Sequence, residues 1–111
     1  MSEVGRGTAV ASWPATTGTV RVFREPQDVI AALDTDLEET IAFVDSGGTT
    51  FLGPILGRLG GILCRSGTLR SHLAIVSREY ELPCIVGVEL NGALDTGDRV
   101  TMAADGAVTR T

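Results

Sequence analysis

The sequence predicts an α/β domain: a mainly parallel central sheet with helices and an additional antiparallel hairpin layer. Three observations carry this expectation. In the middle of the chain, short apolar runs alternate with stretches of helical spacing, which implies parallel strands joined by crossovers. Near both ends, alternating runs flank glycine-containing turns, which implies hairpins. The 111 residues, 43% hydrophobic and with 14 glycines, suffice for one core but not for two.

In chain order, residues 1–12 are aperiodic and contain glycine and serine, so a loose or weakly paired segment is expected there, with the domain running from 13 to 111. Residues 18–23, Gly-Thr-Val-Arg-Val-Phe, alternate as a strand. Pro26 to Leu33 has apolar residues at helical spacing, with Pro26 suited to a first-turn position. The acidic run 34–39 reads as a solvated connection or, alternatively, a docking patch for a basic partner. Residues 40–44, Thr-Ile-Ala-Phe-Val, form a buried strand followed by an Asp-Ser-Gly-Gly turn. Residues 51–59 suggest a short helix whose start is blurred by Gly53 and Pro54. Residues 60–64 form the next strand. Beyond Gly87, residues 88–94 read as loop or turn. Residues 99–103 and 107–109 then pair as a hairpin around Ala104-Asp105-Gly106.

Composition excludes several classes. A net charge of −5 and 5% aromatic content argue against nucleic acid as a partner. No apolar run reaches the length of a membrane span, and Met1-Ser2-Glu3 does not open a signal peptide, so no membrane partner and a cytoplasmic location are expected. All nine basic residues are arginine. Cys64 and Cys84 fall in buried strands without CxxC spacing. They read as small core side chains, and one histidine with two distant cysteines falls short of a zinc ligand set, so no metal site is expected.

The chemistry concentrates around the single histidine, His72. Ser71 is a suitable N-cap for a helix running to about Glu81, which Pro83 ends before a buried strand at Cys84-Ile85-Val86. His72 would then lie in the first helical turn, where free backbone N–H groups and the helix dipole favour an anion. Imidazole is both a nucleophile and a leaving group toward phosphorus near neutral pH. Phosphoryl transfer also needs donors around the equatorial oxygens. The first-turn amides, the Ser71 hydroxyl and the guanidinium of Arg70 or Arg65 are candidates. Arg78, six residues beyond His72, lies off that face, and a structural role is expected for it and Glu79.

The segment Gly67-Thr68-Leu69-Arg70-Ser71-His72, the small-apolar helix with Arg78-Glu79, and Leu82-Pro83-Cys84-Ile85-Val86-Gly87 together resemble the phosphohistidine, or swivelling, mobile domain of the phosphoenolpyruvate-utilising enzymes. That family includes pyruvate phosphate dikinase, phosphoenolpyruvate synthase and phenylphosphate synthase. Thr68 stands where the family has a second glycine, Arg70 where it has threonine, and Ser77 where it has alanine. The resemblance implies a swivelling β/β/α fold, with His72 as the carrier and Gly67, Thr68, Arg70 and Ser71 around its phosphate.

In such enzymes the mobile domain moves between an ATP-grasp-type nucleotide-binding domain and a domain that binds phosphoenolpyruvate, pyruvate or another acceptor. This chain contains neither, and it has no lysine for a nucleotide loop. The resemblance therefore implies a non-autonomous phosphotransferase subunit whose partner chains carry those domains. No cofactor is expected on this chain itself, with ATP and Mg2+ on a partner. One alternative is a free-standing regulatory phosphocarrier or binding module without turnover of its own. Another is a small subunit of an aconitase-type dehydratase, which would leave His72 incidental. The match from Ser71 to Gly87 argues against that last reading.

Overall fold

The structure, a computed structural model, describes residues 2–111. Seven strands are present: β1 (Ser2–Ala9), β2 (Thr16–Val22), β3 (Thr40–Ser46), β4 (Gly61–Ser66), β5 (Cys84–Leu90), β6 (Arg99–Met102) and β7 (Ala107–Arg110). They close into one barrel in the order β1-β5-β4-β3-β2-β6-β7. Helix α1 (Pro26–Ala32) follows β2, a 3-10 helix (Gly53–Arg58) follows β3, and helix α2 (His72–Glu79) follows β4.

The expected mainly parallel sheet with a separate hairpin layer is thus corrected to a single closed, mixed barrel. The parallel part is present, because β2, β3, β4 and β5 pair in parallel through three consecutive crossovers. The β6–β7 hairpin does not form a second layer. It joins the same sheet, β6 pairing with β2 and β7 with β1. Closure falls to β1, which pairs antiparallel with both β5 and β7. Residues 2–9 are therefore a wall of the barrel rather than part of a loose segment.

Closure explains why β1 carries glycine at alternate positions. A Cβ at Gly7 would lie 2.6 Å from the Val86 carbonyl oxygen, and one at Gly5 would lie 3.0 Å from that of Glu89. Only bare backbone fits where the barrel curls shut.

Two cores result. Inside the barrel lie Val20, Ile41, Phe43, Leu63, Ile85, Val100, Met102 and Val108. Between the barrel's outer face and the helices lie Val29, Ile55, Leu56, Leu73 and Ala74, packed with Ala42, Val44, Ile62 and Cys64. Strand β3 serves both, sending Ile41 and Phe43 inward and Ala42 and Val44 outward, so its apolar run has no polar alternation.

Strand β5 runs on to Leu90 where a loop from residue 88 was expected. The pattern breaks because β5 holds an extra residue there. Arg6 and Thr8 of β1 face Glu89 and Val86, two steps against three. Gly87 takes φ 64°, which glycine adopts at little cost. The bulge flips the alternation, turning Val88 into the barrel after Val86 has pointed outward.

The buried thiols Cys64 and Cys84 sit under α2 as small core side chains. The hydrogen bond to Cys84, and after it burial, pushes the Cys64 thiol up.

Candidate active site

The parallel strands β2 to β5 all end at the same rim of the barrel, the usual ligand side of parallel α/β sheets. The chain leaves β4 there at Ser66 and turns at Gly67, whose φ of 138° suits glycine. It then passes through Thr68-Leu69-Arg70-Ser71 into α2, which begins at His72 with Ser71 as its extended N-cap.

Residues 68–71 form a closed turn. The Ser71 N–H donates to the Thr68 carbonyl at 3.0 Å, and the Thr68 N–H donates to Ser71 Oγ at 2.7 Å. The Arg70 N–H donates to Thr68 Oγ1 at 3.2 Å. The Ser71 hydroxyl oxygen thus faces back into the turn instead of accepting an amide of the helix. Its proton remains available to an acceptor outside the turn.

A second loop clamps this one. The Gly47 N–H donates to the Ser66 carbonyl at 2.8 Å, and the Gly47 carbonyl accepts the Leu73 N–H at 2.8 Å. Gly47 is buried, and a Cβ there would meet Ser71 Cβ at 2.8 Å. Sequence reasoning treated Gly47 as an ordinary turn residue and missed this function. The signal available was the Gly47-Gly48 pair at the end of a strand. Arg78 has the structural role expected for it, since its guanidinium reaches back along α2 to donate to the Leu69 carbonyl at 3.1 Å. Glu79 is exposed and makes no side-chain hydrogen bond among the described residues.

His72 is exposed on this frame, and its imidazole hydrogen-bonds no described residue. Of the amides in the first turn of α2, that of Leu73 is held by Gly47 and that of Ile75 by the Ser71 carbonyl. Those of His72 and Ala74 meet no acceptor among the described residues. Ala74 is fully buried, so the accessible free donor at the positive end of the helix is the amide of the exposed His72 itself, which suits an oxyanion beside the imidazole.

Gly67, Thr68, Arg70, Ser71 and His72 are thus brought together. Gly67, Thr68, Leu69 and Arg70 line an open dish of about 500 Å³ with Thr8 of β1. The Arg70 side chain is exposed and ion-pairs with no described residue. Arg65 lies elsewhere, lining the barrel mouth, to which residues 66–72 contribute nothing.

The family described as "PEP-utilising enzyme, mobile domain" matches residues 24–106, and the chain belongs to that family. It is 31% identical over 81 residues to a rifampicin phosphotransferase of Streptomyces sviceus, and 32% identical over 85 residues to one of Bacillus cereus. In both cases the match covers 73% of this chain but 9% of the relative's length.

Similar folds occur in solved structures at much lower identity. Aconitase X of Thermococcus kodakaraensis, in its holo-form, superposes with a TM-score of 0.65 at 16% identity, covering 96% of this chain and 97% of that one. The RNA-processing inhibitor RraA of Thermus thermophilis has a TM-score of 0.57 at 17% identity, covering 95% and 84%. At such identities these likenesses show the barrel alone. No helix among the described residues is long and apolar enough to cross a membrane.

Proposed function

We propose that this chain is the mobile phosphocarrier unit of a phosphotransferase resembling phosphoenolpyruvate synthase and the dikinases, with His72 as the carrier. The observation that carries the reading is an exposed imidazole at the first position of α2, with its own amide unengaged, in a chain of this family. An imidazole nitrogen attacks phosphorus of a donor nucleotide on a partner subunit. The P–O bond to the departing nucleotide oxygen breaks as the N–P bond forms. In the second half-reaction, an oxygen of a small-molecule acceptor on another partner attacks the same phosphorus. The N–P bond breaks and neutral imidazole is regenerated.

Each transfer passes through a phosphoryl group whose charge is spread over three oxygens. The His72 amide, the Ser71 hydroxyl proton and the Arg70 guanidinium are the donors proposed for them, with Gly67 and Thr68 shaping the turn. ATP and Mg2+ belong, in this reading, to the nucleotide-binding partner.

The test incubates tagged protein in host lysate with ATP labelled at the β or the γ phosphate, beside His72→Ala. Acid-labile, alkali-stable label from the β position, absent from the variant, supports a dikinase-type relay, and chains that co-purify identify the partners. Label from γ alone assigns His72 to a simpler carrier or regulatory role. No label on folded protein overturns the phosphohistidine reading.

A further inference from the structure

The mouth of the barrel, at the rim where β2 to β5 end, holds a cavity of about 520 Å³ that the phosphocarrier reading does not use. Its floor is apolar: Val22, Phe43 and Leu94, side chains that also seal the inner core. Its rim is charged, and in balance. Arg24 follows β2, Asp45 ends β3, Arg65 ends β4, and Asp95 stands in the loop before β6.

None of these four side chains closes an ion pair among the described residues. The ion pairs among the described residues join Arg6 to Glu3 and Asp105, Arg99 to Glu39, and Arg110 to Asp98. None includes the rim residues. Asp45 and Arg65 are cross-strand neighbours, since Val44 faces Cys64 and Ser46 faces Ser66 in the β3–β4 ladder. Opposite charges placed so attract one another, yet these two do not close on each other. The backbone N–H of Arg24 bonds the Asp28 carboxylate, while its guanidinium acts on that carboxylate only through its charge, more weakly than the backbone bonds.

The charge pattern selects among ligand classes. A simple anion would gain two guanidiniums but face two carboxylates. A metal cation would meet the reverse, and no third thiol, imidazole or carboxylate joins Asp45 and Asp95 in a metal-sized group among the described residues. A purely apolar ligand would leave four charges to be desolvated without partners. A molecule carrying both charges on a hydrocarbon body satisfies the rim and the floor together, with its carboxylate toward the guanidiniums and its ammonium toward the carboxylates. We propose that the barrel mouth binds a small zwitterion with an apolar body, of the class of α-amino acids with hydrocarbon side chains.

The test follows backbone amide signals of the full chain by NMR while L-leucine or L-phenylalanine is added. The controls are 4-methylpentanoate, which is leucine without its ammonium, and 3-methylbutylamine, which lacks the carboxylate. Saturable shifts at Asp45, Arg65 and residues 91–95 are expected for at least one amino acid. Each single-charge analogue should bind at least about tenfold more weakly, equivalent to about 1.4 kcal/mol. Arg65→Ala and Asp45→Asn, both at exposed positions, should abolish the shifts while keeping the spectrum of a folded barrel. No saturable shift with either amino acid overturns the proposal. So does binding of the analogues as tight as that of the amino acids, or unchanged binding by the two folded variants. Labelling of His72 is read out separately, so failure here leaves the carrier reading standing.

Discussion

Gly47→Ala tests whether the clamp between the two loops is what holds His72 in place. The added methyl would stand 2.8 Å from Ser71 Cβ, 2.9 Å from Ser71 Oγ and 3.3 Å from Gly67 Cα. None of these is the free end of a flexible side chain. Ser71 cannot swing aside without releasing the Thr68 N–H from its hydroxyl, and Gly67 is already in a backbone conformation that few residues adopt. Relief must come from moving the start of α2, which strains the Gly47 carbonyl's bond to Leu73.

Overpacking of this kind costs about 1–3 kcal/mol, which for a domain of this size lowers Tm by about 4–15 °C. Gly48→Ala is the internal control. Its Cβ would meet only Ser46 Oγ at 3.5 Å, an ordinary contact, so its effect should stay within about 0.5 kcal/mol. The assay is thermal or urea unfolding of both variants, with backbone amide spectra of residues 66–74. A Gly47→Ala protein as stable as Gly48→Ala, with those amide signals unmoved, would refute the clamp.

Three further outcomes are expected. Leu63→Ala, which empties a fully buried position in the barrel interior, should cost about 2–5 kcal/mol in urea unfolding. A cost below about 1 kcal/mol would mean the inner core collapses around the gap. Arg78→Ala frees the Leu69 carbonyl, so amide exchange across residues 68–72 should quicken while the barrel strands stay protected. Uniform change, or none, would remove Arg78 from the support of the histidine loop. Asp28 accepts the N–H groups of Arg24 and Glu25 at 2.7 and 3.1 Å, and these bonds hold its carboxyl below the usual range. Its contribution to stability is therefore full above the unfolded carboxyl value of about 3.9 and fades as pH falls through the lower folded value. The stability gap between wild type and Asp28→Ala should narrow below about pH 4, and a constant gap would contradict this.

How much was legible in the sequence depended on which side chains report on burial. The run Ile41-Ala42-Phe43-Val44 announced a strand because both of its faces are buried, and α2 was marked by Ser71 before it and Pro83 after it. The hairpin at Ala104-Asp105-Gly106 was readable because Gly106 takes φ 93° in the turn. Closure of the barrel was not readable. It depends on Gly5 and Gly7, where the informative feature is a missing side chain, so β1 passed for an aperiodic terminus. The bulge at Gly87 hid the second half of β5 by inverting its alternation. At the site, the first-turn placement of His72 followed from local caps, whereas the clamp by Gly47 joins it to Ser66 and Leu73, 19 and 26 positions away. Nothing local in a chain records such a contact.

The barrel itself does not decide the chemistry. Aconitase X and RraA share its shape at 16% and 17% identity, so the fold is a platform used in proteins with unrelated names and roles. What sets this chain apart is the segment from Gly67 to Gly87, which lies within the stretch that matches the mobile-domain family. Its residues divide their labour between holding and presenting. Thr68 and Ser71 bond each other, Gly47 bonds the backbone of Ser66 and Leu73, and Arg78 bonds the Leu69 carbonyl, which leaves the exposed His72 imidazole and the Arg70 guanidinium without partners among the described residues. An aconitase-type reading needs none of this arrangement, because there the histidine would be incidental. An exposed, unpartnered imidazole at a helix start is instead what the phosphocarrier role proposed above requires.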